Sequence, residues 1–137
     1  MLTLSVLPSE YAVCQLPADH AIPAWASAGE LFSVTRTPDE LSVVCAASSV
    51  PAGIRHAAGW SALKLHGPFD FALTGILAGV LNPLHTAGVG IFALSTFDTD
   101  YVLVQAAQLE QAVSALRGAG HAIQNQPVQN SPDPSSA

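Results

Sequence analysis

Positive charge is scarce in this chain: Arg36, Arg55, Lys64 and Arg117 are its only cationic residues among 137, and they are scattered. Nucleic-acid binding relies on clusters of Lys and Arg that release counterions, so that partner class is excluded. No Lys or Arg precedes Arg36, and the amino terminus therefore predicts no signal-peptide n-region. Cysteine is limited to Cys14 and Cys45, without CxxC spacing. With no export signal, both read as reduced core residues of a cytoplasmic protein. The five histidines, His20, His56, His66, His85 and His121, show neither H-x-x-x-H nor H-E-x-x-H spacing, so no metal site is predicted. There is no G-x-S-x-G elbow, no G-x-x-x-x-G-K-[ST] loop and no G-x-G-x-x-G. The expectation is a non-enzymatic protein without a cofactor.

Charge is absent altogether from residues 71–97, a run long enough to span a bilayer. Within it, however, stand Gly75, Gly79, Asn82, Pro83, His85, Gly88 and Gly90. Asn82-Pro83 is a break signal, and a helix of about three turns followed by a buried strand fits better than a membrane span.

What the chain does hold is core material: half its residues are hydrophobic, enough for one compact domain or two small modules. From Trp60 onward six elements are predicted. Trp60–His66 alternates as a strand, and Gly67-Pro68 turns the chain. Leu73, Ile76, Leu77, Val80, Leu81 and Leu84 fall at helical spacing from Phe71, with Asp70 as a candidate cap. A strand to Leu94, a "TFDTD" turn and a strand over Tyr101–Val104 follow. Leu109, Ala112, Val113 and Leu116 mark a second helix, with Arg117 and Gly118 as its stop signal. His121–Gln124 closes with a strand. The order βαββαβ is α+β and favours an antiparallel sheet with both helices on one face.

The first half reads as strands. Thr3–Val6 and Tyr11–Leu16 flank a turn at Leu7-Pro8-Ser9-Glu10, and "IPAWASAGE" is too broken for a proper helix. Glu30–Thr35 and Leu41–Ala46 form a hairpin. Its segment "FSVTRTPDELSVV" (32–44) aligns with "FALSTFDTDYVLV" (92–104) at an offset of 60, matching Phe32 with Phe92 and Glu40 with Asp100. This suggests a duplication. The division expected is a reduced unit over 1–57, a full one over 58–124 and a disordered tail over 125–137, where "NQPVQNSPDPSSA" has little to bury.

The chemistry concentrates in two places. "GPFDFALTGIL" (67–77) leads a strand into a helix whose first turn offers free N–H groups to a carboxylate. An ammonium group wants an acid partner, and Asp98 or Asp100 in "STFDTD" can supply one. Amides near Leu73–Ile76 would then hold the carboxylate of an amino acid, with Gly75 allowing close approach. The plainer alternative is that Asp70 caps the helix, Gly75 packs it and Asp98 stabilises the turn. The residues alone leave both open.

These same segments resemble the ACT domain, in the variant found in small bacterial ACT-domain proteins and in the CASTOR family of cytosolic arginine sensors. A more distant likeness is to the regulatory region of aspartate kinases. The resemblance is strong over Trp60–Ile123 and weaker over the first half. It implies a ferredoxin-like βαββαβ fold in the second half and a reduced, strand-rich ACT-like unit in the first. It also implies a regulatory module that binds amino acids or similar small ligands between ACT units and reports them to a protein partner. Carried over by position, the ligand residues would be Gly67, Phe69, Asp70, Thr74, Gly75, Ile76, Thr96, Phe97 and Asp100. Asp100 is the candidate grip for an ammonium or guanidinium group. The arginine sensors have four units where this chain has one and a reduced one, so a complete inter-unit site would call for a homodimer. The other reading is a structural or oligomerisation module without a functional ligand site.

Overall fold

The computed structural model describes residues 1–70 and 72–125. The tail expected to be disordered therefore lies outside the described residues, apart from Asn125. The described chain divides into two compact units, one of Met1–Pro8 with the residues from Ser61 onward, the other of Ser9–Trp60.

The first unit carries the carboxy-terminal part of β4 (Arg55–Leu65), from Ser61 onward, then α1 (Ala78–Thr86), β5 (Ile91–Ser95), β6 (Asp100–Gln105), α2 (Leu109–Gly118) and β7 (Ala122–Asn125). This is the βαββαβ order that the sequence predicts. Its strands run β7-β1-β4-β6-β5, where β1 is Thr3–Leu16. The amino-terminal end of β1 sits between β7 and β4, pairing parallel with β7 from Thr3 opposite Ala122 to Val6 opposite Asn125. The strand assigned to the first module thus completes the sheet of the second.

Alternation decides which side chains meet the helices. Leu4 and Val6 of β1, Leu63 and Leu65 of β4, Val102 and Val104 of β6, and Ile123 of β7 all turn to one face. They pack there with Val80 and Leu84 of α1 and with Ala112 and Leu116 of α2. Each fully buried Leu or Val contributes about 1.5–3 kcal/mol relative to exposure, so this seam is the main stabiliser of the unit.

Three local expectations need correction. The helix predicted from Phe71 begins only at Ala78. Asp70 does not cap it: its Oδ1 accepts the Ala72 N–H at 2.8 Å and its carbonyl accepts the Leu73 N–H at 2.9 Å, which folds the chain into a local turn instead. Gly75 then takes φ +76°, a left-handed conformation that no continuous helix passes through. Asn82-Pro83 does not break the helix, which runs through both to Thr86. Proline removes the N–H that would bond to the carbonyl four residues back, here that of Gly79. The His121 ring occupies that position instead, with Nε2 2.8 Å from the Gly79 oxygen. Last, α2 continues through Gly118, and the left-handed residue that stops it is Gly120 at φ +97°. The Gly120 N–H bonds to Arg117 O and the His121 N–H to Leu116 O, a Schellman closure.

The second unit is built of strands and short 3-10 turns. β2 (Ser33–Arg36) pairs antiparallel with β3 (Leu41–Ala46), and β3 pairs antiparallel with β1 over Tyr11–Leu16. The turn predicted at Leu7–Glu10 is absent, because β1 runs unbroken from Thr3 to Leu16. The Pro-containing stretch is where β1 exchanges β7 for β3 as partner, so the missing Pro8 N–H falls between two ladders. Ala12, Cys14, Leu16, Leu41, Val43 and Cys45 form this unit's core with Ala26 of a 3-10 turn. Both cysteines are buried and free. Burial, followed by the neighbouring Cys45, pushes the Cys14 thiol up to about 11, and burial raises Cys45 as well.

The two hairpins align differently from the sequence comparison. Thr37 N–H bonds to Glu40 O at 2.9 Å, and Thr96 N–H bonds to Thr99 O at 2.8 Å. In each turn the threonine hydroxyl also accepts the N–H of the fourth residue, Glu40 or Thr99. Thr37 therefore corresponds to Thr96 and Glu40 to Thr99, an offset of 59 (96 − 37) rather than 60. Asp100 corresponds to Leu41, not to Glu40. Because side chains alternate along a strand, a one-residue slip reverses every face assignment.

Candidate functional site

The loop after β4 is tied to the tip of the β5–β6 hairpin by backbone bonds. The Phe69 N–H donates to Asp98 O at 2.8 Å. The Thr99 hydroxyl donates to Leu65 O at 2.6 Å. Thr99 is 8% exposed, so this bond is made away from water and is costly to leave unmade. Gly67 is what lets the loop come so close. A Cβ built there would lie 2.8 Å from Asp98 O and 3.1 Å from Phe69 N. Any side chain at this position collides with backbone, which cannot swing aside.

This clasp creates a cleft of about 140 Å³ lined by Phe69, Asp70, Leu73, Ile76, Thr96, Phe97, Asp98, Thr99 and Asp100. Six of the nine candidate residues line it: Phe69, Asp70, Ile76, Thr96, Phe97 and Asp100. Gly67 lines a neighbouring cavity, and Thr74 and Gly75 line neither. The helix N-terminus expected to hold a carboxylate begins at Ala78, beyond Thr74 and Gly75. Sequence reasoning missed Leu73 and Thr99 as lining residues. The signal for Thr99 was present, since a threonine repeated at both ends of a four-residue turn is turn chemistry. Leu73 was absorbed into a helical pattern that does not form.

Asp100 opens β6 directly opposite Ser95, the last residue of β5. The Ser95 hydroxyl donates to Asp100 Oδ1 at 2.5 Å, fixing the carboxylate while leaving Oδ2 for another donor. The rim is apolar: Phe97 is 80% exposed and Leu73 54%. The arrangement suits a small molecule with a cationic donor for Asp100 and an apolar body between the two rim residues. Among the described residues no group of three or more His, Cys, Asp or Glu side chains is placed to hold a metal ion.

A family model described as the ACT domain matches residues 55–118, spanning the loop, the hairpin and both helices. Residues 55–118 are an ACT domain. Residues 9–53 match a second model, that of a separately defined N-terminal domain, which covers most of the inserted unit. A crystal structure of a protein from Agobacterium tumefaciens is 43% identical, with a TM-score of 0.88 and coverage of 95% of this chain and 97% of that one. A Vibrio cholerae protein, described as being of unknown function and a possible transport protein, is 22% identical with a TM-score of 0.71, covering 86% and 89%. The regulatory subunit of aspartate kinase from Thermus thermophilus shares 12% identity at a TM-score of 0.59, covering 85% and 94%. These last two likenesses establish the shared fold, the ferredoxin-like ACT architecture. None of the curated proteins matches the chain.

Proposed function

We propose that this ACT protein is a non-enzymatic regulatory module that binds a small amino-acid-like ligand in the cleft below Asp100. The observation that carries the reading is the Asp100 carboxylate, held by Ser95 at 2.5 Å on a cleft whose rim is Phe97 and Leu73. The ligand's ammonium or guanidinium group pairs with Asp100, and its side chain lies between the rim residues. A volume of about 140 Å³ encloses only part of an amino acid. The remaining surface comes from a second copy of the chain, so binding and homodimer formation are linked. The ligand acts by its higher affinity for one arrangement, which it thereby populates. A cytoplasmic location and a protein partner that reads this arrangement belong to the same proposal. The likeness to a regulatory subunit of aspartate kinase supports it at the level of fold.

The exposure of Phe97 and Leu73 also favours a second reading, an assembly module in which that rim is an interface and the cleft holds nothing. A thermal-shift screen against the twenty amino acids separates the two. A ligand at 100 times its Kd adds about 2.7 kcal/mol of stability, and the proposal expects such a hit to vanish in Asp100→Asn. Stabilisation by none of them, together with concentration-dependent self-association weakened by Phe97→Ser, supports the assembly module.

A further inference from the structure

A larger cavity of about 660 Å³ opens on the other side of the same loop. Its floor is the sheet face turned away from the helices. Leu63, Leu65 and Leu4 point into the core seam, so by alternation Lys64, His66 and Ser5 point the opposite way. The three lie on adjacent strands and their close C-terminal continuation, and Gln124 of β7 stands directly opposite Ser5. Ser5 Oγ and His66 Nε2 share a hydrogen bond of 2.5 Å, and Gln124 Nε2 is 3.5 Å from the same ring nitrogen.

Lys64 is the odd member of this group. It is the chain's single lysine, among ten acidic residues, and it is half-buried in the first unit's sheet. Among the described residues it has neither an ion-pair nor a hydrogen-bond partner. A partly desolvated ammonium costs free energy when no anion faces it. One carboxylate, that of Asp98, lines the cavity together with Thr99, yet among the described residues no ion pair joins it to Lys64. Ser5 is equally out of place for a solvent face, being a hydroxyl only 5% exposed on the cavity floor.

The geometry points to a second ligand site, adjoining the Asp100 cleft across Asp98 and Thr99, which line both, for a small oxyanion-bearing metabolite. Its carboxylate or phosphate oxygens bond to the Lys64 ammonium, with the His66 ring and the Gln124 amide as further donors. The cavity volume is in the range of small-metabolite pockets. Gly67 and Pro68 form one wall of this cavity, and Phe69 and Asp70 line the Asp100 cleft on the same loop. An anion here therefore bears on the segment that shapes the first site, although its binding does not depend on that site's ligand.

The test is an NMR titration of the full chain with inorganic phosphate and, separately, with acetate, following the His66 ring and the Gln124 side-chain amide. The expected result is a saturable shift of both groups with at least one of the two anions; which anion acts identifies the class of oxyanion. In Lys64→Met the affinity falls about tenfold or more, the loss of one charge-assisted contact. Lys64→Arg keeps the charge and retains binding within a few-fold. Two results overturn the inference. One is the absence of a saturable shift in the wild-type protein with either anion up to about 50 mM, well above the millimolar end of specific binding. The other is equal affinity in wild type and Lys64→Met when both are folded by their amide spectra. Neither depends on whether an amino acid binds at Asp100.

Discussion

His121 shows how much one side chain settles. Its Nδ1 accepts the Leu2 N–H at 3.0 Å, and its Nε2 meets the Gly79 carbonyl at 2.8 Å. A backbone N–H only donates and a carbonyl only accepts, so Nδ1 is the acceptor and Nε2 the donor of this pair. It stands in for the donor that Pro83 lacks. Removing it in His121→Ala is expected to cost about 1–3 kcal/mol, the desolvation penalty of unpaired backbone groups. Pro83→Ala restores an N–H for Gly79 and should reduce that cost. A double-mutant cycle by urea unfolding tests this: a coupling of about 0.5 kcal/mol or more is expected for groups that share a partner, and additivity contradicts it. At Gly67 the prediction is steric. Gly67→Ala places a methyl 2.8 Å from Asp98 O, and it should destabilise the protein by about 1–3 kcal/mol and abolish ligand binding at Asp100. The cysteines give a third. With the Cys14 thiol pushed up to about 11 and Cys45 also raised, neither forms appreciable thiolate near neutral pH. Both should resist iodoacetamide until the protein is unfolded. Because the folded state holds these protons more tightly, the stability they contribute is complete below pH 9 and declines as pH rises toward 11.

At the scale of elements, strong periodicity was legible and interruptions were not. α2 and the β5–β6 hairpin stand where the spacing of Leu109, Ala112 and Leu116 and the segment ending at Leu94 place them. The α1 start was misread because Leu73 and Ile76 continue the helical spacing while Gly75 and the Asp70 turn interrupt the backbone. Periodicity records which faces are apolar, not where φ changes sign. The Asn82-Pro83 signal failed for the converse reason, since its compensation comes from His121, 38 residues later (121 − 83). Pro8 failed similarly, because a strand tolerates proline where its partner changes. Of the candidate site, the loop and the hairpin acid were legible as chemistry-bearing segments. Their joining through Phe69 and Asp98 and through Thr99 and Leu65 is a tertiary fact with no local signature. The exposed hairpin tip yields its own prediction. Phe97→Ser should change stability by less than about 0.5 kcal/mol, as surface substitutions do, yet weaken ligand binding or self-association measured by analytical ultracentrifugation.

For the whole molecule, the sequence made the ACT architecture of the second half readable, whereas the role of β1 was hidden. Nothing local in "LTLSVLPSEYAVCQL" says that Thr3–Val6 pairs with a strand more than a hundred residues later. Among the described residues no helix is long and apolar enough to cross a membrane, and the uncharged run contains α1 and β5 instead. In the proposed function, the folded ACT unit presents Asp100 to a cationic group of a small ligand. The most direct test is a calorimetric titration of the best-stabilising amino acid into wild type and Asp100→Asn, a variant that keeps the side chain's size. Measurable binding is expected in the wild type, with a loss of tenfold or more in the variant, about 1.4 kcal/mol or above. Equal affinities in the two proteins would contradict the proposal.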